Sequence, residues 1–486
     1  MSTAGSESPT GGEMTTATEE NPLRVAIVGA GPSGFYAADH LMRQEENRVL
    51  VDMFDRLPTP YGLVRAGVAP DHPKIKSVIR VYEKIASRDG FRFFGGVEVG
   101  THVSVDELAE RYHAVVFAYG TATDKTLGIP GEDLPGSHAA TEFVSWYNAH
   151  PDFADREFDL SADRAVVIGN GNVAADVARM LMLPREELET TDTADHAIEA
   201  LANSKVREVV VVGRRGPAQA AFTNPEVREL GELTEADVFV DPADVELDDL
   251  SREFLESDDA DATNRKNVEL FTGYAEREPE GKPRRVTLKF FRSPVAIEGD
   301  GRVERVVLAV NRLERDEAGH VRAVDTGERE TIECGLVFRS IGYRGLPIDG
   351  LSFDDRRGLV LNDGGRVLDP GSRKPLPGLY VTGWVKRGPS GVIGTNKKDS
   401  QETVDHLLQD LEAGRIPATT DLRADVEETP RLLAERCPDA ITFDGWRRID
   451  AAEVAAGEPL GRPRVKFCKV EEMVEVARDG TAAGVG

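Results

Sequence analysis

An α/β fold with two parallel-sheet units, one inserted into the other, is predicted by three observations. Two stretches share one design, a β-branched strand that runs into a glycine turn and then a helix: LRVAIVGAGPSGFYAADHLMRQ from Leu23 and RAVVIGNGNVAADVARMLM from Arg164. At 486 residues the chain exceeds the roughly 250–300 at which a single core stops growing. A third strand and glycine turn, GLYVTGW followed by RGPSGVIG, lies far beyond the second unit, where it can return to complete the first.

The elements follow in order. The first strand and helix lead to a second strand, VLVDMFD, ending at Asp55, which completes a strand–helix–strand unit of about thirty residues. After the turn LPTPYG a helix is predicted near Pro73, with Asp71 or His72 able to cap it. The strand AVVFAYGT then enters GIPGEDLPG, a turn or domain crossing. In the second unit the partner strand REVVVVGRRG is delayed by a helical insertion around HAIEALANSK, and further strands are expected at RVERVVLAVNRLE and GLVFRSIG. The expected division is a disordered leader over 1–22, a discontinuous first domain over 23–123 and 346–486, and a second domain over 124–345.

Composition excludes several classes. No apolar run approaches the ~20 residues of a membrane-spanning helix. The leader, rich in Ser, Thr, Gly and Glu, carries neither the apolar stretch of a secretory signal nor the arginines of a transit peptide, so a cytoplasmic protein is expected. A monomer is expected, though no feature of the sequence fixes the oligomeric state. The net charge of −27 argues against nucleic acid as a partner. Twelve acids against the single base Arg252 between Glu235 and Asn264 read as a solvated surface excursion. Three cysteines, Cys334, Cys437 and Cys468, stand too far apart for a CxxC pair and are too few for an iron–sulfur cluster, so redox chemistry must sit on a bound cofactor and no metal ligand set is expected.

The glycine turns carry the chemistry. Gly29, Gly31 and Gly34 form G-x-G-x-x-G between a strand and a helix: one glycine for the tight turn, one for close approach of a pyrophosphate, one for helix–strand packing. The helix N-terminus adds free N–H groups and partial positive charge. Asp55 stands where an acid accepts ribose hydroxyls. The second turn, Gly169, Gly171 and Ala174, is the G-x-G-x-x-A variant, and its partner strand ends in Arg214 and Arg215, where guanidinium groups can pair with the 2′-phosphate of NADP; a charged strand end is the bland alternative. Two Rossmann-like dinucleotide sites of different specificity imply a nicotinamide-to-flavin relay. In the third segment Gly383 and Trp384 follow a strand and the glycines precede a helix whose amides can face the flavin.

Taken together, VGAGPSGFYAA, PTPYGLVRAGVAPDHPKIK, GNGNVAADVAR, GRRGPAQAAFT and GWVKRGPSGVIGTNKKD resemble the adrenodoxin reductase family, which includes bacterial NADPH:ferredoxin reductases, over roughly residues 24 to 480. The resemblance implies FAD in the outer domain, NADP(H) in the inserted one, and single-electron delivery to a ferredoxin or similar iron–sulfur protein. It places Asp55 where the family usually has a glutamate, and Tyr61 where a tryptophan is frequent. It implies active-site roles around the nicotinamide for His72 and Glu229, which read alone suit a helix cap and an exposed helical acid. It adds Ser33, Leu63, Asn170, Asn172, Val173, Gly391, Val392 and Ile393 to the cofactor contacts. An acidic partner would need a local basic face, for which Lys74, Lys76, Arg80 and Lys84, with Arg65, Arg88, Arg92, Lys386, Arg387, Lys397 and Lys398, are candidates. The competing readings are a flavin monooxygenase, a protein like the glutamate synthase small subunit, whose N-terminal cluster cysteines this chain lacks, and a non-catalytic module that binds both nucleotides.

Overall fold

The computed structural model describes residues 17–391 and 393–478. Positions 1–16 of the expected leader and the candidate residue Val392 lie outside them. The rest of the leader is ordered: Ala17 is buried and its N–H donates to Asn47 Oδ1 at 3.0 Å, because an apolar residue there closes the edge of the first core.

The first sheet has the order 362–363, 366–368, 375–381, 114–117, 23–28, 49–55, 91–95. Its five strands from Pro375–Val381 to Phe91–Gly95 are parallel, with Val25 level with Val51 and Ala114. The central strand Leu23–Val28 is apolar nearly throughout because both faces are covered. Leu23, Val25 and Ile27 enter one core with the helices Pro32–Met42 and Ile393–Glu412, while Ala26 and Val28 enter another with Phe54, Phe117 and Leu351. Chain from both sides of the second sheet therefore builds the first.

The second sheet is wholly parallel, in the order Ser137–Ala139, Leu336–Arg339, Arg164–Ile168, Glu208–Val212, Arg284–Lys289, Ala236–Val240. Helices cover one face only. Against the other, Val166, Ile168, Val210 and Val337 pack on Ile297, Val306, Leu308 and Ile332 of a three-stranded antiparallel sheet, Arg292–Glu298, Arg305–Arg315 and Val321–Glu333. The strand expected at RVERVVLAVNRLE thus belongs to this separate layer, and the one at GLVFRSIG to the parallel sheet.

Two local expectations are corrected. The acidic stretch 235–264 carries mostly solvated acids, as expected, but is part of the packed unit and not an excursion from it. It holds the edge strand Ala236–Val240 and the helix Asp249–Glu256, and Asp244 is buried where its carboxylate accepts the Phe290 N–H at 3.2 Å beside Arg292. The helix at Pro73 is a single turn, Pro73–Lys76, with a separate helix Ile79–Ala86, and neither Asp71 nor His72 caps it, because both side chains face the second unit.

Buried ion pairs lock the two units together. Lys76 Nζ meets Asp192 Oδ1 at 2.6 Å, and Lys466 Nζ, near the C-terminus, meets Asp192 Oδ2 at 3.1 Å. Burial holds the Lys466 ammonium down to a pKa of about 7. Within the first unit, Arg65 forms a bidentate pair with the fully buried Glu453 at 2.8 and 2.5 Å. Among the described residues no helix is long and apolar enough to cross a membrane.

Candidate functional site

At the first glycine turn each glycine does a different job. Gly29 has φ +110°, and a Cβ there would sit 2.6 Å from the Ala118 carbonyl. A Cβ on Gly34 would lie 2.1 Å from Gly29 O, so only glycine lets helix and strand approach this closely. A Cβ on Gly31 would enter open space, leaving room there for a group to approach the backbone closely. The helix Pro32–Met42 starts at Gly31 with no side-chain cap, leaving its first N–H groups to a ligand. Ser33 is buried in that first turn, and Leu63 is exposed on the neighbouring segment, where Tyr61 N–H donates to Ala30 O at 2.7 Å. Tyr61, at φ +83°, fills the core edge-on to Trp446.

Asp55 closes this turn from below. Its Oδ2 accepts from Ala30 N at 2.8 Å and its Oδ1 from Leu57 N at 2.9 Å, while burial raises its pKa against those bonds. Each oxygen keeps a lone pair for a ribose hydroxyl. The third segment arrives opposite. At Gly383 a Cβ would meet Ser33 Oγ at 2.3 Å, and Asp399 Oδ2 accepts from Gly383 N at 2.5 Å and from Thr382 Oγ1 at 3.0 Å. Trp384 packs against Tyr343, with ring centroids 5.3 Å apart, and its buried Nε1–H has no acceptor among the described residues. A buried donor left over in this way fits a missing partner such as a bound cofactor. Gly391 is exposed at φ +78°, and Ile393 opens the helix Ile393–Glu412.

The second turn repeats the arrangement. Gly169 has φ +138° and a Cβ there would lie 2.1 Å from Ser340 O; Gly171 faces nearly open space and starts the uncapped helix Asn172–Met182. Asn170 O accepts from Ala221 N at 2.9 Å, and Asn172 Oδ1 accepts from Thr223 N at 2.8 Å, so the helix Asn224–Leu230 is tied to the turn. Val173 is half-buried beside them. Arg214 is exposed and Arg215 half-buried, and among the described residues neither side chain makes an ion pair or hydrogen bond. Burial and then the Arg214 charge lower the Arg215 pKa, the state of two cations without an anion.

Between the units His72 Nε2 and Glu229 Oε2 lie 2.6 Å apart. Burial, the largest influence, opposes charge on the ring, but the bond to Glu229 together with the charges of Asp176 and Asp71 leaves His72 above the ordinary histidine value; the same bond lowers Glu229. Behind them stands Arg179, 3 % exposed, which reaches Asp71 at 2.8 Å, Asp176 at 2.9 Å, Glu229 at 3.0 Å and Glu226 at 3.2 Å. Burial and then Asp176 push Glu226 up to about 7, so this cluster of four acids holds a proton near neutrality.

Sequence reasoning missed Arg179, Asp176 and Glu226, and read Asp71 as a helix cap only. Their signal was present: Asp176 and Arg179 are charges three apart on an otherwise apolar helix, and Glu226 precedes Glu229 by the same spacing. The basic face is reduced. Lys76 is paired with Asp192, Arg65 with Glu453, Arg88 with Asp39, Arg92 with Asp52 and Lys386 with Asp399 and Glu402, whereas Lys74, Arg80 and Lys84 are exposed and make no ion pair among the described residues.

Known proteins share this arrangement. The pyridine nucleotide-disulphide oxidoreductase family profile matches residues 23–229, which span both glycine turns. The NADPH-ferredoxin reductase FprA of Mycobacterium tuberculosis is 51% identical over 94% of this chain and 99% of its own length. The chain belongs to the NADPH-ferredoxin reductase family. Within it, the mitochondrial NADPH:adrenodoxin oxidoreductase of Salvelinus fontinalis is 43% identical over 96% of this chain and 93% of its own. A solved structure, Mycobacterium tuberculosis FprA in complex with NADPH, superposes with a TM-score of 0.87 at 50% identity, covering 94% of this chain and 99% of that one. The disulphide of the broader family has no counterpart, since Cys334, Cys437 and Cys468 are all free.

Proposed function

We propose that the chain oxidises NADPH through a bound FAD and delivers the electrons to a small iron–sulfur protein of the ferredoxin class. FAD, when bound, takes a two-electron hydride and releases single electrons, which this chain's side chains cannot do. The unpaired state of Arg214 and Arg215, in a chain with 86 acids against 59 bases, is the observation that carries the reading. The buried cations Arg65, Arg179, Lys386 and Lys466 pair with carboxylates, whereas the exposed Arg214 and half-buried Arg215 pair with none among the described residues and stand open to an anion from outside.

The assignment follows from the two turns. The unit of 23–123 and 346–486 holds FAD, with Gly29, Gly31, Ser33 and Gly34 on the pyrophosphate, Asp55 on the ribose, and Leu63, Gly383, Trp384, Gly391, Val392 and Ile393 around the flavin. The unit of 124–345 holds NADP(H), with Gly169, Asn170, Gly171, Asn172 and Val173 on the pyrophosphate and Arg214 and Arg215 on the 2′-phosphate. His72 and Glu229 bridge the units at 2.6 Å and orient the nicotinamide, and Arg179 fixes Glu229 and Asp71 in turn. What the protein supplies there is alignment and charge control.

The partner docks on the helical segment after His72. Lys74, Arg80 and Lys84 are exposed cations there, and Ile75 and Val81 are exposed apolar residues between them, at 41% and 43%. Charge steers an acidic partner and the apolar residues hold it. Cytochrome c reduction by NADPH, with and without an added ferredoxin, tests the reading: a ferredoxin-dependent rate is expected, and flavin turnover indifferent to ferredoxin would contradict it.

A further inference from the structure

The loop that carries the arginine pair is held by four hydrogen bonds, three of them between main-chain groups. Gly213 N donates to Lys289 O at 2.8 Å, Arg292 N to Gly213 O at 2.9 Å, and Phe291 N to Arg215 O at 3.1 Å. The fourth comes from a side chain: Asn311 Nδ2 donates to Arg214 O at 2.9 Å. The same amide donates its other hydrogen to Ser293 Oγ at 2.8 Å, and the main-chain N–H of Asn311 donates to Phe291 O at 2.8 Å, so the side chain is anchored at both ends. Asn311 is 7% exposed.

The antiparallel sheet is distorted where Asn311 sits. Along Arg305–Arg315, Ala309 faces Arg329 but Asn311 faces Asp325, a break in register on the strand Val321–Glu333. Such irregularities re-aim side chains beside functional sites. Next to it Phe291 holds φ +54°, the left-handed region that a bulky aromatic rarely enters, and a Cβ on Gly216 would lie 2.5 Å from its ring. Two irregular backbone features and one buried amide converge on the carbonyls of Arg214 and Arg215.

We propose that Asn311 is a specificity-determining positioning residue: through its bond to Arg214 O it sets the arginine loop for the 2′-phosphate of NADP(H). Arg214 and Arg215 have no acid to orient them, so their placement must come from the backbone below. Bidentate guanidinium–phosphate pairing tolerates displacements of only about 0.5 Å. The antiparallel sheet, which covers the face of the parallel sheet, thereby also tunes the choice between coenzymes.

The inference rests on the assignment of the arginine pair to the 2′-phosphate, and the experiment separates the two. Binding of 2′,5′-ADP and of 5′-AMP is measured on the FAD-loaded holoenzyme, wild type, Asn311→Leu and Arg214→Ala. In Asn311→Leu the affinity for 2′,5′-ADP is expected to fall roughly three- to tenfold, the loss of one hydrogen bond's positioning, with 5′-AMP unchanged. Equal losses for both ligands, or no loss for either, overturn the role of Asn311. If Asn311→Leu fails to retain FAD, Asn311→Ser, which keeps a small polar group but cannot reach Arg214 O, is held to the same two outcomes. Equal losses in Arg214→Ala would instead overturn the phosphate assignment itself.

Discussion

The two glycine turns share a backbone and differ in how their strand ends are finished. At the first, Asp55 is already bonded to Ala30 and Leu57, and the third segment closes over Ser33 through Gly383 and Asp399. At the second, the arginines stand free and Arg214 is open to solvent. One turn is knit into the protein around its ligand site; the other leaves its charges for a ligand to satisfy. The contrast fits a cofactor that stays and a coenzyme that comes and goes.

Breaking the closed turn has the largest expected effect. Gly34→Ala forces a methyl against Gly29 O, 2.1 Å away, a clash with backbone that must shift helix against strand at a cost of about 1–3 kcal/mol. The purified variant is expected to lose FAD, read from its visible spectrum; full flavin content would show that the turn tolerates the shift. At the open turn, replacing Arg214 and Arg215 with Ala should weaken NADPH by about 1.5–3 kcal/mol per charged hydrogen bond and leave NADH nearly unchanged, without loss of FAD. Steady-state kinetics with both coenzymes checks this, and equal losses would remove the distinction between the turns.

The bridge between the units should respond to pH. His72 is raised in the folded protein, so its pairing contributes stability that is full below its unfolded value of about 6.5 and is lost as pH rises through the folded value. Glu229 is lowered, so its share is present above about 4.5 and is lost as pH falls through its folded value. Glu229→Gln should therefore move the upper limb of the pH profile of flavin reduction to lower pH, and an unmoved limb would separate the pair from the reaction. Glu226, raised to about 7, costs stability as pH climbs through that value. Glu226→Gln should gain in thermal stability relative to wild type at pH 8 more than at pH 6. The smallest effect is expected at the surface: salt should slow ferredoxin reduction, and Lys74→Ala with Lys84→Ala should flatten that dependence.

The sequence reveals the parts of this molecule that follow from local rules. A β-branched strand before a spaced glycine turn announces both parallel sheets, and the Arg214–Arg215 pair is visible at its strand end. What it hides depends on contacts far apart in the chain. Lys76 reads as a surface cation until Asp192 is brought beside it, and Asp71 and His72 read as helix caps until Arg179 and Glu229 arrive from the other unit. The acidic stretch misleads for a related reason, since the alternation in Ala236–Val240 buries every second residue and leaves Asp237 and Phe239 on the outer side. The antiparallel sheet over the second unit has no local signature that sets its strands apart from the parallel ones.

The central claim is tested most directly by anaerobic rapid mixing of the holoenzyme with NADPH, followed by oxidised ferredoxin. The flavin absorbance should bleach on the first addition and return on the second, and NADH should bleach it far more slowly. A flavin that NADPH leaves oxidised, or that NADPH and NADH reduce equally fast, would contradict the account.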